Sequence, residues 1–110
     1  MKAFFLLLVS WLLLAPSARA QADPAAAPAP NAPVYVIPIR GQIEGALLYV
    51  IRRGLAEAEQ RNAAAVLLVI DTPGGTLGAA SDIVRSIQAA KLPVYTFVEK
   101  DAFSAGAIIA

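Results

Sequence analysis

The chain has 110 residues, 58% of them hydrophobic, with nine basic and eight acidic residues, no histidine and no cysteine. That length holds about one domain, and charges this evenly spread form no basic block of the kind that binds nucleic acid or anionic lipid. Without cysteine no disulfide scaffold can form, and without histidine as well these residues assemble neither a zinc site nor a Ser-His-Asp triad.

Met1-Lys2 is a short positive start, Ala3 to Leu14 is almost wholly apolar, and Ala18-Arg19-Ala20 has the small-x-small pattern of a secretory cleavage site. The apolar stretch is shorter than the roughly 20 residues a membrane-spanning helix needs. We therefore read residues 1–20 as a secretory signal peptide, removed after Ala20. Residues 21–33, QADPAAAPAPNAP, carry no apolar periodicity and read as a semi-extended linker. A domain is expected over residues 34–110.

Val34 to Ile39 is a β-branched run whose Pro38 cannot donate to a ladder, so this strand belongs at an edge or a bulge. From Gly45 to Asn62 the period changes: Leu47, Val50, Ile51, Leu55 and Ala58 recur at the spacing of one helix face. Ala65 to Ile70 is a continuous apolar run, expected to be a strand covered on both faces. A second helix is expected near Leu77 to Ala90, with Ala80, Ile83, Val84 and Ile87 as its buried stripe. Val94 to Val98 reads as a third strand, Glu99 to Phe103 as the turn after it, and the residues from Ser104 onward as the opening of a third helix. That helix reaches Ala110 without a stop signal, so we expect the domain to be truncated there, with three strands of an incomplete sheet.

Alternating strands and helices imply right-handed crossovers joining parallel strands, an α/β fold with a mainly parallel sheet. The turns at Arg40 to Glu44, Asp71 to Thr76 and Glu99 to Phe103 then open on one sheet edge, where ligands bind in open α/β folds. Ser104 and the pair Gly74, Gly75 meet on that edge.

A serine at a strand-to-helix turn has two readings. It is a favoured helix N-cap, or it is a nucleophile, aided by the helix N-terminus and by small neighbours. Thr72-Pro73-Gly74-Gly75 likewise suits an ordinary type II turn, or it supplies backbone N–H groups to an oxyanion. A serine nucleophile needs a base. A lysine serves only if burial lowers its pKa from about 10.4 toward ~7–8. Lys91 and Lys100 are expected at the surface, which leaves the base outside these residues.

Together, Val34-Tyr35-Val36-Ile37-Pro38-Ile39, Ile70-Asp71-Thr72-Pro73-Gly74-Gly75 and Ser104-Ala105-Gly106-Ala107 resemble the NfeD (nodulation efficiency) proteins, membrane-associated serine peptidases related to ClpP. The resemblance implies a ClpP/crotonase-type layered fold and a Ser-Lys dyad with Ser104 as nucleophile. It also implies oxyanion stabilisation near Gly74 and Gly75, and a lysine base downstream of the Ser-Ala-Gly segment. No cofactor or metal is implied. The expected partners are a peptide or membrane-protein substrate cut in an apolar stretch, a stomatin-like protein and further copies of the chain as a homo-oligomer. The expected location is the extracytoplasmic or periplasmic face of a membrane. Two other readings stay open: a noncatalytic exported scaffold that binds a membrane protein, and a crotonase-like acyl-thioester enzyme, against which the export signal argues.

Overall fold

A computed structural model describes residues 28–110. The expected signal peptide and most of the expected linker lie outside the described residues. The elements run β1 (Val34–Arg40), α1 (Gly45–Gln60), β2 (Ala65–Thr72), α2 (Leu77–Gln88), β3 (Val94–Ala102) and α3 (Ala105–Ile109). The strands form one parallel sheet in the order β1-β2-β3. Among the described residues Pro38 therefore lies on an edge strand, where its missing N–H breaks no second ladder.

Side chains alternate across the sheet. Ile37 and Ile39 of β1 and Val66, Leu68 and Ile70 of β2 point to one face and join Ile51, Leu55, Ala58, Ala80 and Ile83 of the helices in a single core. The opposite face is uncovered by any described element: Val34, Val36, Tyr95 and Phe97 are exposed, and Leu67 and Val69 are half-buried. The expectation that β2 is covered on both faces is thus corrected. A run of aliphatic residues is equally compatible with one covered face and one half-open face.

Helix α1 buries Leu48, Ile51, Leu55 and Ala58. Val50, expected in that stripe, is instead 45% exposed, because the buried face is centred between Leu48 and Ile51. The helix stops at Asn62, whose φ of 51° is left-handed, a conformation asparagine tolerates better than most residues. Asn62 N–H donates to Glu59 O and Ala63 N–H to Ala58 O, the paired bonds of a Schellman ending. Ala63 is buried there and turns the chain into β2. Helix α2 starts at Thr76, whose hydroxyl accepts from Ala79 N–H at 3.4 Å. It buries Ala79, Ala80 and Ile83, while Val84 and Ile87 pack at the margin of the core.

Strand β3 runs beyond Val98, through residues read as a turn. Between the pairs Ile70–Val98 and Thr72–Ala102 the register shifts, and β3 spends the extra length in a bulge at Glu99 to Asp101. A bulge re-aims the chain beyond it, and here that chain is the Ser104 turn. Leu68, fully buried on the central strand, is the pivot of the core, so Leu68→Ala is expected to destabilise the domain by about 2–5 kcal/mol, measured by urea denaturation.

Candidate active site

At the carboxyl edge of the sheet, the three turns expected there lie together. Ser104 follows β3 and precedes α3 with φ 49° and ψ −116°, a left-handed φ that costs a residue bearing Cβ about 1–3 kcal/mol and is held only where surrounding structure enforces it. The restraints on either side are visible: Phe103 N–H donates to Thr72 O at 3.1 Å and Gly106 N–H to Phe103 O at 2.8 Å. The Ser104 side chain makes no capping hydrogen bond and the residue is exposed. The serine occupies the N-cap position without doing an N-cap's work, and its hydroxyl is presented to solvent.

Gly74 faces this turn. A Cβ placed on it would lie 3.0 Å from Ser104 Cβ, 3.0 Å from Phe103 O and 3.6 Å from Ala105 N. With φ 108° as well, Gly74 is required both by conformation and by space. Its N–H, however, is engaged, donating to Thr72 Oγ1 at 3.0 Å. The expected turn is therefore held by the threonine hydroxyl, and Gly74 supplies proximity to Ser104 while its N–H faces inward.

Gly75 lies against Ile43 in a parallel bridge, with Ile43 N–H donating to Gly74 O and Thr76 N–H to Ile43 O, each at 2.9 Å. Those two bonds use the groups on either side of Gly75. Its own N–H donates to no backbone group among the described residues, and the trans peptide directs it away from Gly74 O. Ala105 N–H, the first of α3, has no acceptor within its helix. Neither N–H is paired among the described residues, but only Gly75 is exposed, as Ser104 is, whereas Ala105 is fully buried.

On the other side of the edge, Arg40 ends β1 and pairs with Asp71 at 3.6 Å and with Glu99 of β3 at 2.6 Å. The three strand ends are tied by charge as well as by the ladder. Lys91 and Lys100 are both exposed, as expected. One residue that bonds the turns of this edge together, Thr72, was given no role of its own in the sequence reading. Thr72 did carry a signal: it continues the alternation of Val66, Leu68 and Ile70, so its hydroxyl is on the buried face and must find partners.

A parallel sheet ending in these turns is the architecture of ClpP-like protease domains. An Asn-to-Asp variant of ClpP1 from Listeria monocytogenes matches with a TM-score of 0.64 at 24% identity, over 67% of this chain and 43% of that one, a likeness of fold. The family model for the NfeD1b N-terminal domain matches residues 33–110, and the chain belongs to that family. It is 40% identical over 77 residues to the membrane protein NfeD1b of Bacillus subtilis and 42% identical over 80 residues to the membrane-bound protease PH1510 of Pyrococcus horikoshii, in each case over 70% of this chain. The chain spans 18% of the length of these curated relatives. The 1510-N membrane-bound stomatin-specific protease is similar in structure. Its serine-to-alanine variant gives a TM-score of 0.68 at 40% identity, over 72% of this chain and 40% of that one. A lysine-to-alanine variant in complex with a substrate peptide gives 0.68 at 39% identity, over 74% and 38%.

Proposed function

We propose that these residues form the nucleophile-bearing part of an exported, membrane-associated serine endopeptidase that cuts peptide bonds in apolar segments. The observation that carries this reading is Ser104: left-handed, exposed, capping nothing and in contact with the Gly74 turn. Ser104 Oγ attacks the peptide carbonyl carbon as its proton passes to a lysine amine supplied from outside these 110 residues. The oxyanion that forms is held by the exposed Gly75 N–H, such a donor being worth roughly 2.7–4 kcal/mol. Collapse breaks the C–N bond, the lysine returns the proton to the leaving amine, and water then hydrolyses the acyl-serine. The serine and lysine variants of 1510-N, the latter in complex with a substrate peptide, support a serine-lysine pairing.

The apolar amino terminus and the membrane-bound relatives favour action at an extracytoplasmic membrane face, where a stomatin-like protein would be the substrate or partner. The test is the full-length gene product in lipid vesicles, given a mixture of apolar and polar peptides, with products identified by mass spectrometry. Cleavage inside apolar runs is expected. A folded protein that binds such peptides without cutting any would instead be the noncatalytic scaffold.

A further inference from the structure

Thr72 is the one buried polar side chain among the described residues, 1% exposed, and it touches every segment that builds the site. Its hydroxyl donates to the Gly41 carbonyl at 2.5 Å and accepts the Gly74 N–H at 3.0 Å. Its own carbonyl accepts the Phe103 N–H at 3.1 Å. Its methyl lies against Gly106 in α3, so closely that a Cβ on Gly106 would collide with it. Packing alone does not account for the hydroxyl, because valine fills the same space and adds no polar group that must be satisfied.

The hydrogen bonds have a directional consequence. The Pro73–Gly74 peptide is held by the Thr72 hydroxyl, and the Gly74–Gly75 peptide is held by Ile43 N–H on Gly74 O. With both planes anchored, Gly74 cannot rotate, although glycine is otherwise free to do so at φ 108°. The orientation of the Gly75 N–H follows from those two planes. On the other turn, the Thr72 carbonyl and methyl seat Phe103 and Gly106, the residues flanking Ser104 and Ala105.

We propose that Thr72 is a positioning residue whose hydroxyl aims the Gly75 N–H at the reacting carbonyl oxygen, while its backbone and methyl keep the Ser104 turn in register with it. The inference rests on the serine-peptidase reading above. A misaimed oxyanion donor weakens the transition state more than substrate binding, so the loss belongs in kcat and leaves KM nearly unchanged.

The experiment is steady-state kinetics of the full-length gene product on a fluorogenic apolar peptide, with active sites counted by fluorophosphonate labelling. Thr72→Val keeps the volume and methyl and removes the hydroxyl. It is expected to lower kcat per labelled site about 10–100-fold, with KM within about threefold of the parent. Thr72→Ser keeps the hydroxyl and is expected to hold kcat within about threefold, though it melts at a lower temperature for want of the methyl. A purely structural role predicts that Thr72→Val, with Gly41 O and Gly74 N–H left unpaired, melts at a lower temperature while kcat per labelled site stays at the parent value, and that result overturns the inference. If Thr72→Val does not accumulate, Thr72→Ser decides: a retained kcat supports the hydroxyl's role and a fall of more than about tenfold contradicts it. Ser104→Ala is assayed in parallel. An inactive Ser104→Ala beside a Thr72→Val of unchanged kcat overturns the positioning role alone, whereas a fully active Ser104→Ala overturns the peptidase reading and this inference with it.

Discussion

Ser104→Ala is expected to reduce peptide cleavage by the full-length gene product by a factor on the order of 10³ or more, with the fold intact. No neighbouring hydroxyl can substitute. Thr72 is buried with its hydroxyl committed to Gly41 and Gly74, Thr76 caps α2, and Ser86 is bonded to Arg52 and Asp82 on the helical side of the molecule. Stability should barely change, because the Ser104 side chain makes no capping bond that alanine would lose. Glycine at the same position is the informative companion. It relieves the positive-φ strain of about 1–3 kcal/mol, partly offset by about 0.4–1 kcal/mol of added freedom in the unfolded chain. Ser104→Gly should therefore melt no lower than Ser104→Ala while being equally inactive, a pairing that separates the site's strain from its chemistry.

Gly75→Ala is expected to damage both stability and turnover. A Cβ there would run into the carbonyl, amide nitrogen and carbonyl carbon of Ile43. Those are backbone atoms in a hydrogen-bonded bridge, and no rotamer change relieves the clash. Overpacking of this kind costs about 1–3 kcal/mol, and displacing the Gly75 N–H, the proposed oxyanion donor, is expected to lower kcat by roughly 10²–10³. Gly78 provides the control. It lies in the first turn of α2 with nothing within 4 Å of its would-be Cβ, so Gly78→Ala should gain up to about 0.5–1 kcal/mol in helix propensity and leave activity unchanged. Thermal melting and peptide turnover of the two variants check both statements.

The parallel sheet was legible in the sequence because its signals are local and periodic. Alternation of apolar runs with amphipathic stretches dictates crossovers, and Pro38, read as marking an edge or a bulge, sits on the outer strand of the described sheet. Placement of Ser104 and Gly74 on one edge followed from that topology alone. What the sequence did not carry was set by contacts between distant segments. Val50 and Leu48 fit a helical stripe about equally well, and only the seat of α1 on the sheet selects Leu48. The bulge that carries β3 to Ala102 is a matter of register against β2 and leaves no apolar pattern of its own at Glu99 to Asp101. The Gly-Gly pair was visible, but which of its N–H groups faces outward depends on Ile43 and on the Thr72 hydroxyl, which is itself bonded to Gly41, 31 residues away. Serine as a helix cap was the better local reading, and the backbone angles of Ser104, set by Thr72 and Phe103, leave its side chain uncapping and exposed.

Covalent labelling tests Ser104 as the nucleophile without requiring the natural substrate. The full-length gene product is treated with a fluorophosphonate, digested, and mapped by mass spectrometry. One adduct is expected, on the peptide carrying Ser104, absent from Ser104→Ala. An adduct on a different residue, or none on a protein that still cleaves peptides, would contradict it.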